Sequence, residues 1–385
     1  MMIRRWWEVA VVLLVAGLVL LVGGAELLVR GAAHLAVAIG ISPLVVGLTV
    51  VAFGTGAPEL AVGVQAGVGG QTELALGNVV GSNLVNTFLI LGLAALVTPL
   101  LVQHKLVRRE VPLVIVATVV VWLLVLDGGL SPTEGLGLFA AAIAYTAWAV
   151  IVGRREPSEL AAGPEIEAGD GARARHWAVD VGLIAGGLVL LVLGSNWLVD
   201  GAVRIAESLG LSELVIGLTV VAIGTSLPEA ATSVVAALKG ERDIAVGNII
   251  GSNLFNLLAV LGLSALVSPD GIPAPDRVVD VDLPALIGAA VLCLAVFFTG
   301  WVIARWEGAL FVGLYAAYLT YLLLDTGETT STDSFRPVLA VVLPIVVLVV
   351  VVDTVAKARA GNPAEALDGV GEGNEAEARR GSLDP

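Results

Sequence analysis

Residues 47–59 have the sequence GLTVVAFGTGAPE, and residues 217–229 have the sequence GLTVVAIGTSLPE. They open an ungapped internal repeat with an offset of 170 residues, in which residues 47–99 and 217–269 are identical at 29 of 53 positions. Each copy places a proline and a glutamate just after a Gly-Thr pair in an apolar segment. Because proline lacks an N–H and clashes with the carbonyl four residues earlier, both copies predict a helix broken at the same point.

The composition predicts a membrane protein. The 385 residues are 57% hydrophobic and 14% charged, with a mean hydropathy of +0.96, whereas soluble domains are about 25% charged. Helices of about 20 apolar residues cross the hydrocarbon core. Eleven candidate spans lie near residues 8–37, 42–68, 72–98, 111–126, 132–153, 178–208, 212–238, 243–268, 282–302, 307–325 and 336–353.

The repeat offset predicts the architecture. It covers five spans, an odd number, so each helix and its counterpart should cross the membrane in opposite directions. We therefore expect an all-α polytopic membrane protein with two inverted five-helix repeats and one additional C-terminal transmembrane helix. The expected parts are the first repeat (1–153, helices 1–5), a cytoplasmic linker (154–177), the second repeat (178–325, helices 6–10), helix 11 (326–355) and an acidic disordered tail (356–385).

The loop charges predict the orientation, because cytoplasmic loops hold an excess of Lys and Arg. With the N-terminus outside, most loop cations, including Lys105, Arg109 and Arg242, fall in the cytoplasm. We expect a plasma membrane protein with its C-terminus in the cytoplasm. The first span is not interpreted as a cleaved signal, because residues 21–46 recur at 191–216. The 17 Arg against 3 Lys and the acidic loops suggest a prokaryotic source that is either salt-adapted or rich in GC.

Several function classes are excluded. A net charge of −14 and a pI near 4.6 argue against nucleic-acid binding. Cys293 is the single cysteine, so an intramolecular disulfide is impossible. No H-E-x-x-H, G-x-S-x-G or Walker segment occurs, so we do not expect an enzyme or a bound cofactor. The absence of a Walker segment also argues against transport powered directly by ATP hydrolysis. No obligate protein partner is indicated, and the lipid bilayer is the expected surrounding.

The two breaks carry the candidate site. An ionised carboxylate at membrane depth costs about 2.5–3.5 kcal/mol on insertion scales, so Glu59 and Glu229 require a functional reason. The prolines should free the carbonyls of residues 52–54 and 222–224, which need another partner in lipid. Hydroxyl oxygens on the same stretches come from Thr55, Thr225 and Ser226.

The following helices add a polar face. Residues 77–86 are GNVVGSNLVN and residues 247–256 are GNIIGSNLFN. In each segment three polar residues four apart share one helical face. The oxygen donors of the two motifs include no His or Cys, which favours Ca²⁺ or Na⁺ over zinc or copper. For Asn78, Asn248, Asn83 and Asn253, we prefer interhelical hydrogen bonding to ion binding.

Broken helices at matching positions of inverted repeats are typical of secondary transporters, whose site lies near the membrane midplane. A cation channel is the alternative from another class. It would need an open path and usually rotational symmetry between subunits, which an inverted repeat within one chain does not provide.

The paired GT(G/S)xPE and GNxxGSNxxN segments resemble the α-repeats of the Ca²⁺/cation antiporter superfamily, closest to sodium/calcium exchangers of prokaryotic type, over residues 8–325. The resemblance implies alternating access by sliding of the first and sixth helices. It implies Glu59 and Glu229 as central shared ligands of Ca²⁺ and Na⁺. The further ligands that it implies are Thr55, Thr225, Ser226, Ser82, Ser252 and the carbonyls of Ala52 and Ala222, with Asn86 and Asn256 flanking the middle site.

Three departures refine this expectation. Gly56 stands where the other half has Ser226, so one hydroxyl ligand is missing and one Na⁺ site should be weakened. Asn256 stands where potassium-dependent relatives have aspartate, which favours independence of K⁺. The proton-coupled branch usually has a glutamate shortly after its Gly-Asn pair, and neither half has one here. A proton-coupled or broader divalent exchanger remains the alternative within the superfamily.

The two site carboxylates also predict the charge balance. Two ionised glutamates neutralise one Ca²⁺, whereas three Na⁺ leave one surplus positive charge, so three-for-one exchange would be electrogenic. Two nearby carboxylates without a cation should not both stay ionised. Protons should therefore compete with Ca²⁺.

Overall fold

The computed structural model describes residues 2–70, 72–155, 170–208, 222–298 and 301–325. The first half contains α1 (Met2–Ile39), α2 (Pro43–Val46), α3 (Ala52–Thr55), α4 (Ala57–Gly69), α5 (Thr72–Leu84), α6 (Leu91–Val97), β1 (Leu100–Leu101), α7 (Val111–Leu124), β2 (Gly129–Leu130) and α8 (Pro132–Arg155). The second half contains α9 (Asp170–Ser208), α10 (Ala222–Thr225), α11 (Leu227–Leu238), α12 (Arg242–Phe255), α13 (Leu261–Val267), β3 (Ile272–Pro273), α14 (Leu283–Phe298), β4 (Val302–Ile303) and α15 (Arg305–Asp325).

The helices confirm a polytopic membrane protein. Within the described ranges, seven helices are long and apolar enough to cross a membrane. The segments Pro43–Thr55 and Ala57–Gly69 are long and apolar enough only when taken together, and they are bent by 48° at the break between them. Helix α9 begins at Asp170, before the predicted start at 178, so the end of the predicted linker is helical. The predicted span 336–353, the tail and residues 156–169 of the linker lie outside the described residues.

Helices α1 and α9 pack against each other along glycines. A β-carbon added to Gly24 would lie 2.8 Å from the Gly187 carbonyl oxygen, and one added to Gly17 would lie 2.7 Å from that of Gly194. The positions rise along α1 while they fall along α9, so the two helices run antiparallel. Only glycine lets the two backbones approach this closely.

The two breaks have the same local conformation. Gly56 joins α3 to α4 with φ −77° and ψ 3°, and Ser226 joins α10 to α11 with φ −88° and ψ 8°. A proline lies in the first turn of the helix after each break, where a missing N–H is tolerated. The first turn of each of these helices also contains the glutamate of its motif.

The two helices that carry the GNxxGSNxxN motifs are interrupted by wider turns. A π-helical turn over Val85–Ile90 joins α5 to α6, and one over Asn256–Val260 joins α12 to α13. Such turns are rare and often occur at functional sites. Further π-helical turns precede three other helices: Gly47–Val51 before α3, Leu106–Glu110 before α7 and Val278–Asp282 before α14. A 3₁₀ turn over Val125–Asp127 follows α7.

Four two-residue strands, which the sequence analysis did not predict, join the two halves. Strand β1 pairs antiparallel with β4, and β2 with β3. Thus the end of the third span lies beside the end of the ninth, and the end of the fourth lies beside that of the eighth. Consecutive spans end on opposite sides of the membrane, so the third span, which ends beside the ninth, and the eighth span, which ends beside the fourth, end on opposite sides. Because the third and eighth spans are counterparts in the repeat, this cross-pairing supports the predicted inversion.

Two glycine contacts repeat the cross-pairing. Gly92 of α6 meets Gly308 of α15, and Gly135 of α8 meets Gly262 of α13, each within 2.9 Å between an added β-carbon and a carbonyl oxygen. These contacts pack the last helix of each half on the third span of the other half. The broken helices are held in a bundle assembled from both halves.

Candidate cation site

The two motif glutamates are the buried charged residues at the breaks. The exposed fraction is 0% for Glu59 and 1% for Glu229. They lie in the first turns of α4 and α11, near enough to each other for their carboxyl groups to interact. The structure therefore brings together two carboxylates that are 170 positions apart in the sequence.

Hydroxyl groups of the opposite half face each carboxylate. The Ser226 hydroxyl donates to Glu59 Oε1 at 3.3 Å, and Thr225 also lies beside Glu59. Thr55 lies beside Glu229 in the same way. The Thr55 hydroxyl is 3.1 Å from both the Val51 carbonyl oxygen and Asn248 Oδ1.

Several buried oxygen atoms have no hydrogen-bond donor within the described part of the chain. They belong to the carboxylates and to the polar faces of α5, α12 and the π-helical turns. The atoms are Glu59 Oε2, Glu229 Oε1 and Oε2, Ser82 Oγ, Ser252 Oγ, Asn86 Oδ1, Asn253 Oδ1 and Asn256 Oδ1, together with Thr232 Oγ1 of α11. Burying polar atoms without a partner costs free energy. All of them are oxygen donors, the ligand type that hard cations prefer, so this donor set fits a hard cation.

The site has two acidic groups rather than a larger acidic cluster. Among the described residues, no three His, Cys, Asp or Glu side chains come together as a metal-binding group. The carboxylates are supplemented by neutral hydroxyl and amide oxygens. This chemistry suits Ca²⁺ or Na⁺ better than a transition metal.

Asparagines of the two GNxxGSNxxN motifs form a hydrogen-bond network between the halves. Asn256 Nδ2 donates to Asn83 Oδ1 at 3.2 Å, and Asn83 Nδ2 donates to the Asn253 carbonyl at 3.2 Å. Asn253 Nδ2 donates to Thr87 Oγ1 at 2.9 Å. By using the Asn256 amide group as a donor, this network leaves Asn256 Oδ1 available for a cation.

One expectation about freed carbonyls is wrong. The Ala52 carbonyl accepts from the Gly56 N–H at 3.0 Å, because Pro58 removes the donor to Gly54 and not to Ala52. At the second break the Gly224 carbonyl accepts from the Ser195 hydroxyl at 2.7 Å. A side chain of α9 therefore satisfies the carbonyl that the proline frees there. Ala222 begins α10 at the corresponding position of the second half.

Sequence reasoning missed two polar residues near Glu229, namely Thr232 and Ser233. Asn248 Nδ2 donates to Ser233 Oγ at 3.0 Å, and Thr232 is buried with its hydroxyl unpaired among the described residues. Their counterparts in the first half are Val62 and Gly63, so the repeat gave no signal. Their spacing of three and four residues after Glu229 could have placed them on the same helical face.

A membrane bundle with two similarly broken helices and a buried oxygen-lined site defines the class of secondary active cation transporters. The chain belongs to the sodium/calcium exchanger protein family, which matches residues 9–151 and 179–324. This membership confirms the resemblance to the Ca²⁺/cation antiporter superfamily. The chain is a multi-pass cation antiporter and not an enzyme.

Individual relatives agree with the family assignment. The putative antiporter CaxA of Alkalimonas amylolytica is 42% identical over 69% of this chain and 83% of its own length. The inner membrane protein YrbG of Escherichia coli is 41% identical over 74% and 89%. The sodium/calcium exchanger MaX1 of Methanosarcina acetivorans is 32% identical over 82% and 98%.

A solved structure shares the fold. The sodium-calcium exchanger NCX_Mj, soaked with zero Na⁺ and Ca²⁺, superposes with a TM-score of 0.70 at 30% identity. The match covers 82% of this chain and 99% of that chain. The predicted membrane exchanger fold is therefore confirmed.

Proposed function

We propose that the chain exchanges Na⁺ for Ca²⁺ across the plasma membrane by alternating access. The observation that carries the proposal is the pair of fully buried carboxylates, Glu59 and Glu229, contributed by corresponding breaks of the two halves. Two buried negative charges are costly, and one Ca²⁺ would neutralise both. The names of MaX1 and NCX_Mj, both sodium/calcium exchangers, support the choice of ions.

We infer that the ions bind to the oxygen atoms around these carboxylates. The unpaired hydroxyls of Ser82 and Ser252 and the Oδ1 atoms of Asn86 and Asn256 supply neutral ligands. The remaining ligands of the proposed set lie along the breaks, and they are the hydroxyls of Thr55, Thr225 and Ser226 and the carbonyls of Ala52 and Ala222.

We also propose that the two halves are inverted, with the N-terminus outside and the C-terminus in the cytoplasm. The cross-pairing of β1 with β4 and of β2 with β3 supports the inversion. The excess of Lys and Arg in alternate loops supports the orientation.

The number of carboxylates supports electrogenic, K⁺-independent exchange. Two negative charges balance one Ca²⁺, whereas three Na⁺ in the same pocket would leave one surplus positive charge. Within the described residues no third acidic group joins the pair, so K⁺ lacks an additional charged ligand. We expect net positive charge to enter the cell with Na⁺ during Ca²⁺ export.

Transport of ⁴⁵Ca²⁺ into proteoliposomes tests the proposal. Uptake should be driven by an outward Na⁺ gradient, should be unchanged by K⁺ on either side, and should respond to membrane potential. An outward K⁺ gradient without Na⁺ should give no uptake when the potential is clamped. Uptake driven equally well by a proton gradient in the absence of Na⁺ would favour the proton-coupled alternative, and leak without any gradient would favour a channel.

Substitution of the carboxylates tests the site. Glu59→Gln and Glu229→Gln should each reduce Ca²⁺ uptake by more than about a hundredfold, because each removes one of the two charges that balance Ca²⁺, and a buried ion that loses its charged partner costs about 3–5 kcal/mol. The matched control is Asp276→Asn, which removes the same charge from an exposed position. Ca²⁺ transport that survives the double Glu→Gln replacement would contradict the proposed site.

A further inference from the structure

At the turn of each break, Gly56 stands in the first half where Ser226 stands in the second. Ser226 donates its hydroxyl to Glu59. The backbone at Gly56 has a negative φ of −77°, close to the −88° of Ser226, and does not require glycine. The reason for glycine at position 56 must therefore lie in the space around it.

That space is filled by an aromatic ring. A β-carbon added to Gly56 would lie 2.8 Å from Cδ1 and 3.0 Å from Cε1 of Phe255. Such distances are shorter than van der Waals contact, so any side chain at position 56 must displace the ring. The counterpart of Phe255 in the first half is Val85, which is smaller. The two halves thus differ at both members of one contact.

Phe255 is held in place by a second aromatic ring. Phe53 packs against it edge to face, with the ring centroids 4.8 Å apart and the planes inclined by 60°. The counterpart of Phe53 is Ile223, so the aromatic pair is a feature of this half of the site. Edge-to-face pairs contribute about 0.5–1.5 kcal/mol beyond their buried area.

The aromatic pair lies between the break and a cavity. Phe53 and Phe255 line a cavity of about 190 Å³, whose walls come from the first broken helix, α8 and α12. Most of its lining is apolar, and the residues with polar side chains in its walls are Thr49, Tyr145 and Thr146. Phe255 therefore contacts both this cavity and Gly56, which lies three residues before Glu59.

We propose that Phe255 is a specificity-determining residue that occupies the place of a hydroxyl ligand at position 56 and, with Phe53, forms an apolar lid over this side of the cation site. This inference rests on the proposed function, since it assigns a role within the Na⁺ and Ca²⁺ site. The side with Ser226 offers a hydroxyl oxygen, whereas the side with Gly56 offers an aromatic edge. A Na⁺ ion on the Gly56 side has one oxygen ligand fewer and binds more weakly.

A set of six proteins tests the lid: the natural protein, Gly56→Ala, Gly56→Ser, Phe255→Val, and the doubles Gly56→Ala/Phe255→Val and Gly56→Ser/Phe255→Val. Valine is what the other half has at this position, and the alanine variants add a β-carbon without a hydroxyl. Thermal unfolding in detergent is measured first, because it needs no transport. Gly56→Ala and Gly56→Ser should lower the melting temperature, and adding Phe255→Val should restore it.

The second measurement is the rise of the melting temperature with added Na⁺, which gives an apparent Na⁺ affinity. Gly56→Ser/Phe255→Val should bind Na⁺ about fivefold more tightly than Gly56→Ala/Phe255→Val, since a single neutral polar contact is worth about 1 kcal/mol. Additive melting temperatures, without restoration in the doubles, would overturn the steric part of the proposal. Equal Na⁺ affinities of the two doubles would overturn the assigned hydroxyl position.

The flux assay separates this inference from the proposed function. If the natural protein failed to exchange Na⁺ for Ca²⁺, the proposed function would be wrong, while the melting temperatures would still report the contact of Gly56 with Phe255. If exchange occurred and the doubles showed neither restoration nor a difference in Na⁺ affinity, the lid alone would be wrong.

Discussion

The glycine contact between α1 and α9 allows a controlled test of the packing. Gly23 and Gly24 are adjacent in α1, but they face different surroundings. A β-carbon at Gly24 would lie 2.8 Å from the Gly187 carbonyl oxygen and 2.8 Å from the Leu191 backbone nitrogen, whereas one at Gly23 would have no neighbour within 4 Å. Gly24→Ala and Gly23→Ala therefore add the same atom to the same helix with and without a steric conflict.

The expected magnitude follows from these distances. The obstructing atoms of α9 belong to its backbone, so the helices must separate by roughly half an ångström before the β-carbon fits, and overpacking of this kind costs about 1–3 kcal/mol. Replacing glycine by alanine in a helix contributes up to about 1 kcal/mol in the opposite direction at both positions. The difference between the two variants in free energy of unfolding should therefore be about 1–3 kcal/mol, with Gly24→Ala the less stable.

The assay is reversible unfolding by SDS in mixed micelles, followed by circular dichroism, with both variants titrated beside the natural protein. Gly187→Ala should reproduce the cost of Gly24→Ala, because it meets the Gly24 carbonyl oxygen at 2.7 Å from the other side. Equal stability of the Gly23→Ala and Gly24→Ala proteins would refute the close backbone contact.

Three further outcomes are expected. Ser195→Ala should lower the free energy of unfolding by about 1–3 kcal/mol, because the buried Gly224 carbonyl loses its hydroxyl donor; the SDS titration measures this, and an unchanged midpoint would contradict it. Tyr145→Phe should destabilise the protein by a similar amount, because the Tyr145 hydroxyl donates to the buried Glu110 carboxylate at 2.7 Å; the same titration tests it. Ca²⁺ uptake should fall as the pH is lowered from 8 to 5, because protonation removes the charge of the two site carboxylates; ⁴⁵Ca²⁺ uptake measured at constant Na⁺ gradient would refute competition if it stayed flat.

The features that sequence reasoning predicted best depend on local rules. A proline breaks a helix wherever it occurs in the helix interior, and both repeats place Pro and Glu at the same offset. The position of Glu59 and Glu229 at the two breaks therefore followed from the sequence without a structure. The family assignment followed as well, because two motifs recur in register in each half.

The features that it missed depend on contacts between segments far apart in the chain. The Ser195 hydroxyl that satisfies Gly224 comes from α9, and nothing in the local sequence of either segment pairs them. The hydrogen bond from Asn83 to the Asn253 carbonyl and the pairing of β1 with β4 likewise join the two halves. Such partners are determined by how the helices pack, and the sequence pattern alone does not specify the packing.

The two halves match at both carboxylates and differ at two neutral positions near them, Gly56 against Ser226 and Val85 against Phe255. The charge that the site can neutralise is set by the carboxylates, whereas the affinity for each Na⁺ depends on neutral oxygens. The Gly56→Ser/Phe255→Val protein should therefore change the Na⁺ concentration for half-maximal Ca²⁺ flux but keep the same reversal potential, since the ions exchanged per cycle are unchanged. A shifted reversal potential would show that the neutral residues also determine how many Na⁺ ions are carried.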